Sequence, residues 1–508
     1  MPSSASDHII PIASPSRFHF QCPFSGKAMK ASSIVSFGAL AATAGALELV
    51  ARDDGSPRVV GFPIERKSIQ DRVEHDNQRL SRRSKTLDLQ LDNQLSLYTI
   101  NITVGTPEQN VMVDIDTGSS DLWFNTPKSR LCQNRADPCS EMGTYTANSS
   151  SSYNYVSGIF NITYSGGNGA SGDYATDNIK IGGQTINNLQ FGIGYHSSSQ
   201  ENILGIGYKS NEAAVAHGNT QPYDNLPAKM VSDGLINSNA YSIWLDDLNA
   251  TTGRLLFGGV DQAHYLGSLV TLPILQEDNM YAEFFVQMTG IDWNGSSVTD
   301  DNSTLSVLLD SGTSLMYLPD DMVEVLYSSV DASYDNSQGI ALVDCNMAAT
   351  NKNLTLHFGS SLKIDVPVSE LVLDTMSSDQ DSTDGSSHSQ VSACLFGVAP
   401  AGDSPAVLGD TFMRSAYVVF DLDNNEISMA QSNFNAGNKE IIMEIGTGKG
   451  SVQSAATASP TSTQTASTGT SNSDNGNGAA GLSVPSWTGL GLSLGLVVMG
   501  FLSGTQLL

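Results

Sequence analysis

From residue 84 to about 435 the chain sets short apolar runs between Gly, Asn, Ser and Asp, with little sustained helical periodicity. Such punctuation predicts mostly β structure. Residues 98–107 read as a strand and turn, and helices are predicted only over the short stretches 224–234 and 319–330. One phrase organises the rest. Val111, Met112, Val113, Asp114 and Ile115 carry Asp116 to the end of a predicted strand, and the small turn Thr117-Gly118-Ser119 leads on to Leu122 and Trp123. The phrase returns as Val307-Leu308-Leu309, Asp310, Ser311-Gly312-Thr313 and Leu315. A second phrase is also repeated. Ile203-Leu204-Gly205-Ile206-Gly207 follows the first aspartate, and Ala406-Val407-Leu408-Gly409-Asp410 follows the second at a similar interval. An apolar-apolar-Gly segment lets one strand pass close beneath another, so each half is expected to brace its own aspartate turn. Two similar β lobes with a cleft between them follow from the duplication.

An aspartate after an apolar strand ordinarily caps or turns the chain, and either copy alone reads that way as easily as any other. The pair says more. Two carboxylates held close together cannot both ionise, so they share one proton across acidic to near-neutral pH. The ionised partner can take a proton from a trapped water while the protonated partner donates to a carbonyl oxygen. Glycine lets the backbone pass close to the carboxylates, and the hydroxyls of Ser119 and Thr313 can orient them.

On these residues the chain resembles the pepsin-like aspartic proteases, and within them the fungal candidapepsin and yapsin branch. The resemblance covers roughly residues 95–431, with further matches at Phe257-Gly258-Gly259-Val260-Asp261, at Leu408-Gly409-Asp410-Thr411-Phe412 and along 414–421. It implies a mainly β, bilobal pepsin-like fold with two related β lobes flanking a cleft. Asp116 and Asp310 are then the catalytic pair, supported by Thr117, Gly118, Ser119, Ser311, Gly312 and Thr313. Water would attack the peptide carbonyl directly, without a covalent acyl-enzyme, and neither a metal nor an organic cofactor is implied. The strand, glycine-rich tip and returning strand over 162–172 resemble the family's hairpin flap. Tyr164, with Ser165 and Gly166 at the tip, would overhang the cleft with its hydroxyl toward the Trp123 indole. An ordinary hairpin with a packed tyrosine is the alternative. Two departures matter: Ser311 stands where many relatives carry threonine, and the flap tip lacks the aspartate of relatives that cleave after basic residues. Glu201 is the candidate for a nearby carboxylate. The rival class is a pepsin-like protein that has lost activity and serves as a binding or cell-wall structural protein. Both aspartates, their hydroxyls and the flap tyrosine are present, so nothing in the residues supports loss. One chain carries both half-sites, so the catalytic unit is expected to be monomeric and to take protein or peptide substrates.

At 508 residues the chain is long enough for two or three domains. Its net charge of −28 is uneven: residues 1–83 carry +3 and residues 84–508 carry −31. So acidic a surface excludes nucleic-acid binding as the expected role. It suits either work at low pH or an ordinary extracellular surface. Cys22, Cys132, Cys139, Cys345 and Cys394 make an odd number. If Cys22 is removed, four remain with three pairings in principle, and spacing favours Cys132–Cys139 and Cys345–Cys394. An oxidising compartment is expected, and no zinc-like spacing is present.

The ends read as processing signals. Residues 29–46 have a short basic start, an apolar run and a small-x-small end, the layout of a signal peptide. Residues 1–28 are therefore expected to be a gene-model extension, with a genuine long N-terminal region as the alternative. Residues 47–83 end in Arg82-Arg83 and read as a propeptide with its cleavage site, whose basic segment could lie over an acidic cleft; a solvated pair is the alternative. The N-terminal lobe is expected at 84–275 and the C-terminal lobe at 276–435. Sequons at Asn101, Asn148, Asn161, Asn249, Asn294, Asn302 and Asn353 fit a secreted glycoprotein, with Asn101 and Asn161 expected to be poorly used inside predicted strands. Residues 436–477 read as a Ser/Thr-rich stalk, densest over 451–473. The small residues after Asn477, a polar spacer and the uncharged run 487–508 read as a GPI-attachment signal, so 478–508 would be discarded and the protein held outside the plasma membrane or in the wall. A transmembrane helix is the rival for that run.

Overall fold

The computed structural model describes residues 49–50, 58–69, 95–164, 169–218, 220–299, 304–335, 339–373, 393–437, 439–448 and 456–457. The expected extension and signal peptide with Cys22, the Arg82-Arg83 site, Ser165 and Gly166, Asn302, most of the stalk, Asn477 and the run 487–508 lie outside the described residues.

The architecture is mainly β, as the punctuated apolar runs predict. A 14-stranded sheet carries most of the first half. Within it Leu95–Val104 pairs antiparallel with Gln109–Asp116, the strand that delivers the first aspartate. Ala240–Trp244 lies deep in the same sheet, between Thr252–Phe257 and Ala416–Asp421. The strands Ala416–Asp421 and Glu426–Ser432, expected in the second lobe, thus join the sheet of the first. Their composition explains this: all six residues of Ala416–Asp421 are buried, which suits a strand covered on both faces.

Val60–Ile69, inside the expected propeptide, is a strand of this sheet too. It alternates buried Val60, Phe62 and Ile64 with exposed Gly61, Pro63 and Glu65. Residues 60–65 pair with 252–257, and residues 65–69 pair with 95–99. Pro63 therefore sits where only one side is paired, the place a residue without an N–H is tolerated.

The second half folds around an eight-stranded sheet. In it Phe285–Trp293 pairs with Leu305–Leu309, the strand before the second aspartate. A four-stranded sheet stands beside it. Helices are short: Leu226–Ser232 and Asp320–Val330 fall within the two predicted stretches. The disulfides Cys132–Cys139 and Cys345–Cys394 are both formed, the second tying the strand Ala393–Phe396 to the turn Cys345–Ala349. One apolar core runs through both halves, and a smaller cluster sits apart around Trp123 and Phe160.

Candidate active site

Both aspartates end buried strands and turn inward, Asp116 at 1% exposure and Asp310 at 5%. Their local bonding is the same. The N–H of Gly118 donates to Asp116 Oδ1 at 2.9 Å, and the Ser119 hydroxyl donates to Oδ2. The N–H of Gly312 donates to Asp310 Oδ1 at 2.9 Å, and the Thr313 hydroxyl donates to Oδ2 at 2.7 Å. Each carboxylate is thus oriented by an amide two residues on and a hydroxyl three residues on.

The two turns are locked to one another by a reciprocal set of bonds. Ser311 N–H donates to Thr117 Oγ1 at 2.9 Å, and that hydroxyl donates to the Leu309 carbonyl at 3.1 Å. In mirror fashion Thr117 N–H donates to Ser311 Oγ at 3.2 Å, and that hydroxyl donates to the Ile115 carbonyl at 2.8 Å. Ser311 therefore supplies both bonds a threonine would. Close approach needs glycine here: a Cβ on Gly118 would sit 2.8 Å from Asp310 Oδ1, inside any tolerable contact.

The repeated apolar-Gly segments lie directly behind these turns. Ile203–Gly205 runs parallel to the end of Gln109–Asp116, placing Gly205 opposite Asp116, and Ile206 N–H donates to the Asp116 carbonyl at 3.0 Å. Ala406–Leu408 runs parallel to Leu305–Leu309, and Asp410 N–H donates to the Thr313 carbonyl at 2.8 Å. A Cβ on Gly409 would meet the Thr313 carbonyl at 2.2 Å, so only glycine passes.

The flap candidate is the hairpin of Asn154–Thr163 and Gly169–Ile181. Tyr164 leaves its first strand, and its hydroxyl accepts from the Trp123 indole N–H at 2.8 Å. Trp123 is fully buried, so this bond fixes the tyrosine against the first lobe. Glu201 is 8% exposed and takes a hydrogen bond from the Ser199 hydroxyl. An open groove of about 560 Å³ along the hairpin, lined by Ile159, Asn161, Asp173, Tyr195 and His196 among others, contains neither aspartate. Asn101, Asn148, Asn161, Asn249 and Asn294 are exposed, and Asn353 is half-buried.

Three features escaped the sequence. Asn202 is fully buried and donates from one amide to the carbonyls of Met112, Met142 and Gly143, while its oxygen accepts from Asn125 N–H. Asp121 and Glu212 are buried without a paired cation, and burial raises both carboxyls, Glu212 up to about 9. Arg414, buried in the second half, donates from Nε to Glu370 at 2.6 Å. Nothing local marked Asn202, which ends the polar run Ser197 to Glu201, whereas a charge directly after Phe412 and Met413 was the available signal for Arg414.

A profile of the family described as eukaryotic aspartyl protease matches residues 97–432. The probable aspartic-type endopeptidase opsB of Aspergillus oryzae is 48% identical over 415 residues, covering 81% of this chain and 83% of the relative. Candidapepsin-3 and secreted aspartic protease 3, both of Candida albicans, are each 38% identical over 363 residues, covering 70% of this chain and 84% of the relative.

Proposed function

Because the chain belongs to the eukaryotic aspartyl protease family and is an aspartic-type endopeptidase acting on peptide substrates, we propose that a water between Asp116 and Asp310 carries out the hydrolysis. One carboxylate takes a proton from the water as its oxygen bonds to the carbonyl carbon. The other carboxyl gives its proton to the carbonyl oxygen, forming a tetrahedral diol. Collapse of the diol breaks the C–N bond, and the amine leaves with the proton. No acyl-enzyme forms on this route. The observation that carries the reading is the matched bonding of the two aspartates, which makes them equivalent enough to exchange acid and base roles.

An acidic working range is part of the proposal. Burial raises Asp121, Glu212, Asp246 and Asp421, so the folded chain holds protons that an unfolded one would release. Residues 47–83 are proposed as a propeptide cut after Arg83. The place of Val60–Ile69 in the sheet supports a precursor form in which that segment is still structural. Secretion agrees with the naming of the Candida relatives and with the two disulfides. Glycosylation, a stalk and a GPI anchor replacing 478–508 complete the proposed route to the cell surface, with a monomeric catalytic unit.

The test is direct. Asp116→Asn and Asp310→Asn should each be secreted and folded, with kcat lowered roughly 10³-fold or more, because each removes half of an acid–base pair. Near-wild-type turnover by either variant, purified free of other proteases, would overturn the assignment.

A further inference from the structure

Behind the flap hairpin the small apolar cluster gathers Trp123, Phe160, Tyr174 and Ile203, with Tyr164 and Tyr223 packed against them. Its rings stand in a row. Centroids are 6.3 Å apart for Trp123 and Phe160, 5.2 Å for Phe160 and Tyr174, and 5.8 Å for Tyr174 and Tyr223. At the far end of the row sit two carboxyls, Asp121 and Glu212, both at 0% exposure. Asp121 Oδ1 accepts from the hydroxyls of Tyr174 at 2.7 Å and Tyr223 at 2.9 Å, and Oδ2 accepts from Ala213 N–H at 2.7 Å. Glu212 Oε2 accepts from Tyr223 N–H at 3.0 Å, while its Oε1 is buried with no hydrogen-bond partner.

The second half shows that the catalytic turn itself does not need an acid there. Five residues beyond Asp310 stands Leu315, fully buried and apolar, where the first half has Asp121. The acid must therefore serve something only the first half possesses, and the flap hairpin is that feature.

We infer that Asp121 and Glu212 are positioning residues for the flap: they hold Tyr174 and Tyr223, whose rings back Phe160 and Trp123, and Trp123 in turn holds the Tyr164 hydroxyl. The inference deepens the proposed protease reading and rests on it. The groups that act on Glu212 are Asp121, Lys209, Asp224, Tyr174 and Tyr223. Lys209, the only cation among them, engages Asp224 at 2.8 Å on the exposed side. Burial keeps Glu212 protonated in acid, so the pair carries at most one negative charge there. As pH rises, loss of that proton places a second charge beside Asp121. The four-residue helix Ala213–Ala216 and Tyr223 must then move apart, and the ring row loosens.

Steady-state kinetics in acid, together with tryptophan fluorescence of the intact enzyme across pH, separates this from a purely structural role. Glu212→Gln should move the alkaline change in tryptophan fluorescence to higher pH by a unit or more, while kcat and KM keep their wild-type values across the acidic range, where Glu212 is already protonated. Asp121→Asn turns an amide donor toward Ala213 N–H and should raise KM roughly ten-fold at every pH, with kcat changed by less than about three-fold. Should Asp121→Asn fail to fold, Tyr174→Phe and Tyr223→Phe each remove one donor to Asp121 and should raise KM with kcat held. An alkaline fluorescence profile that superimposes on wild type in Glu212→Gln, together with an unchanged KM in both tyrosine variants, would overturn the inference. Such a result would leave the Asp116–Asp310 reading intact, since that reading fails only if the Asp→Asn variants of the pair stay active.

Discussion

Asp116 and Asp310 each accept from an amide two residues on and a hydroxyl three residues on, but beyond these turns the two halves part. Behind Asp116 lie Asp121 and Glu212: tyrosine hydroxyls and the Ala213 N–H bond Asp121, the Tyr223 N–H bonds Glu212 Oε2, and among the described residues no ion pair holds either acid. Behind Asp310 lies a compensated pair. Arg414 donates to Glu370 Oε2 at 2.6 Å and to the Glu370 carbonyl at 2.7 Å, with Asp410 adding to the field that favours the charged guanidinium. The bonding of the turn is dictated locally by the Asp-Thr/Ser-Gly-Ser/Thr phrase, so duplication preserves it. The charge behind the turn is set by distant residues and is free to diverge. The pocket behind the first turn is thereby built to keep protons, and the one behind the second to keep an ion pair.

The largest break in this comparison is expected at the ion pair. Arg414→Met strips buried Glu370 of its guanidinium partner, leaving the Leu248 N–H on Oε1, and should cost about 3–5 kcal/mol of stability, whereas the double variant with Glu370→Met should recover much of it. Chemical denaturation of the secreted enzyme at one acidic pH measures both. Equal losses in the single and double variants would show that the pair itself, and not the stranded charge, carries the stability.

A smaller and graded effect is expected from pH. Glu212 rises from 4.5 to about 9 and Asp246 from 3.8 to about 6, both by burial, and Asp121 rises for the same cause. A carboxyl raised on folding contributes stability that is complete below its unfolded value and is lost as pH climbs through the folded one. The transition temperature should therefore fall steadily between pH 4.5 and 9. Hydrogen exchange should show amides over residues 121–246 losing protection before those around Arg414. Glu212→Gln should flatten that decline. A transition temperature that rises over this range would contradict the assignment of Asp121, Glu212 and Asp246 as proton-retaining.

What the sequence made legible was local. Asp116 and Asp310 announced themselves because strand, aspartate, glycine and hydroxyl fall within four residues, and the pairing of Gly205 and Gly409 with them followed from matched intervals. Tyr164 and Trp123 were placed together through family resemblance, and the hydrogen bond between them is present. What stayed hidden was convergence over distance. Asp121 was visible inside the first phrase yet silent, since its partners Tyr174, Ala213 and Tyr223 come from three later segments. Arg414 and Glu370 are 44 residues apart, with no pattern linking them. Val60–Ile69 was passed over as propeptide because the basic residues after it dominate the composition. Its own alternation of Val60, Phe62 and Ile64 was the strand signal that composition masked.

The central claim is that two equivalent aspartates share one catalytic proton, and the pH dependence of kcat/KM on a neutral peptide substrate tests it most directly. A substrate without ionisable groups leaves only the enzyme to titrate. The account predicts a bell within the acidic range, with two apparent pKa values belonging to the pair, because one carboxyl must be ionised and the other protonated at once. A single sigmoid that climbs toward neutral pH, with no acidic maximum, would mean that only one group acts and would contradict the shared-proton mechanism.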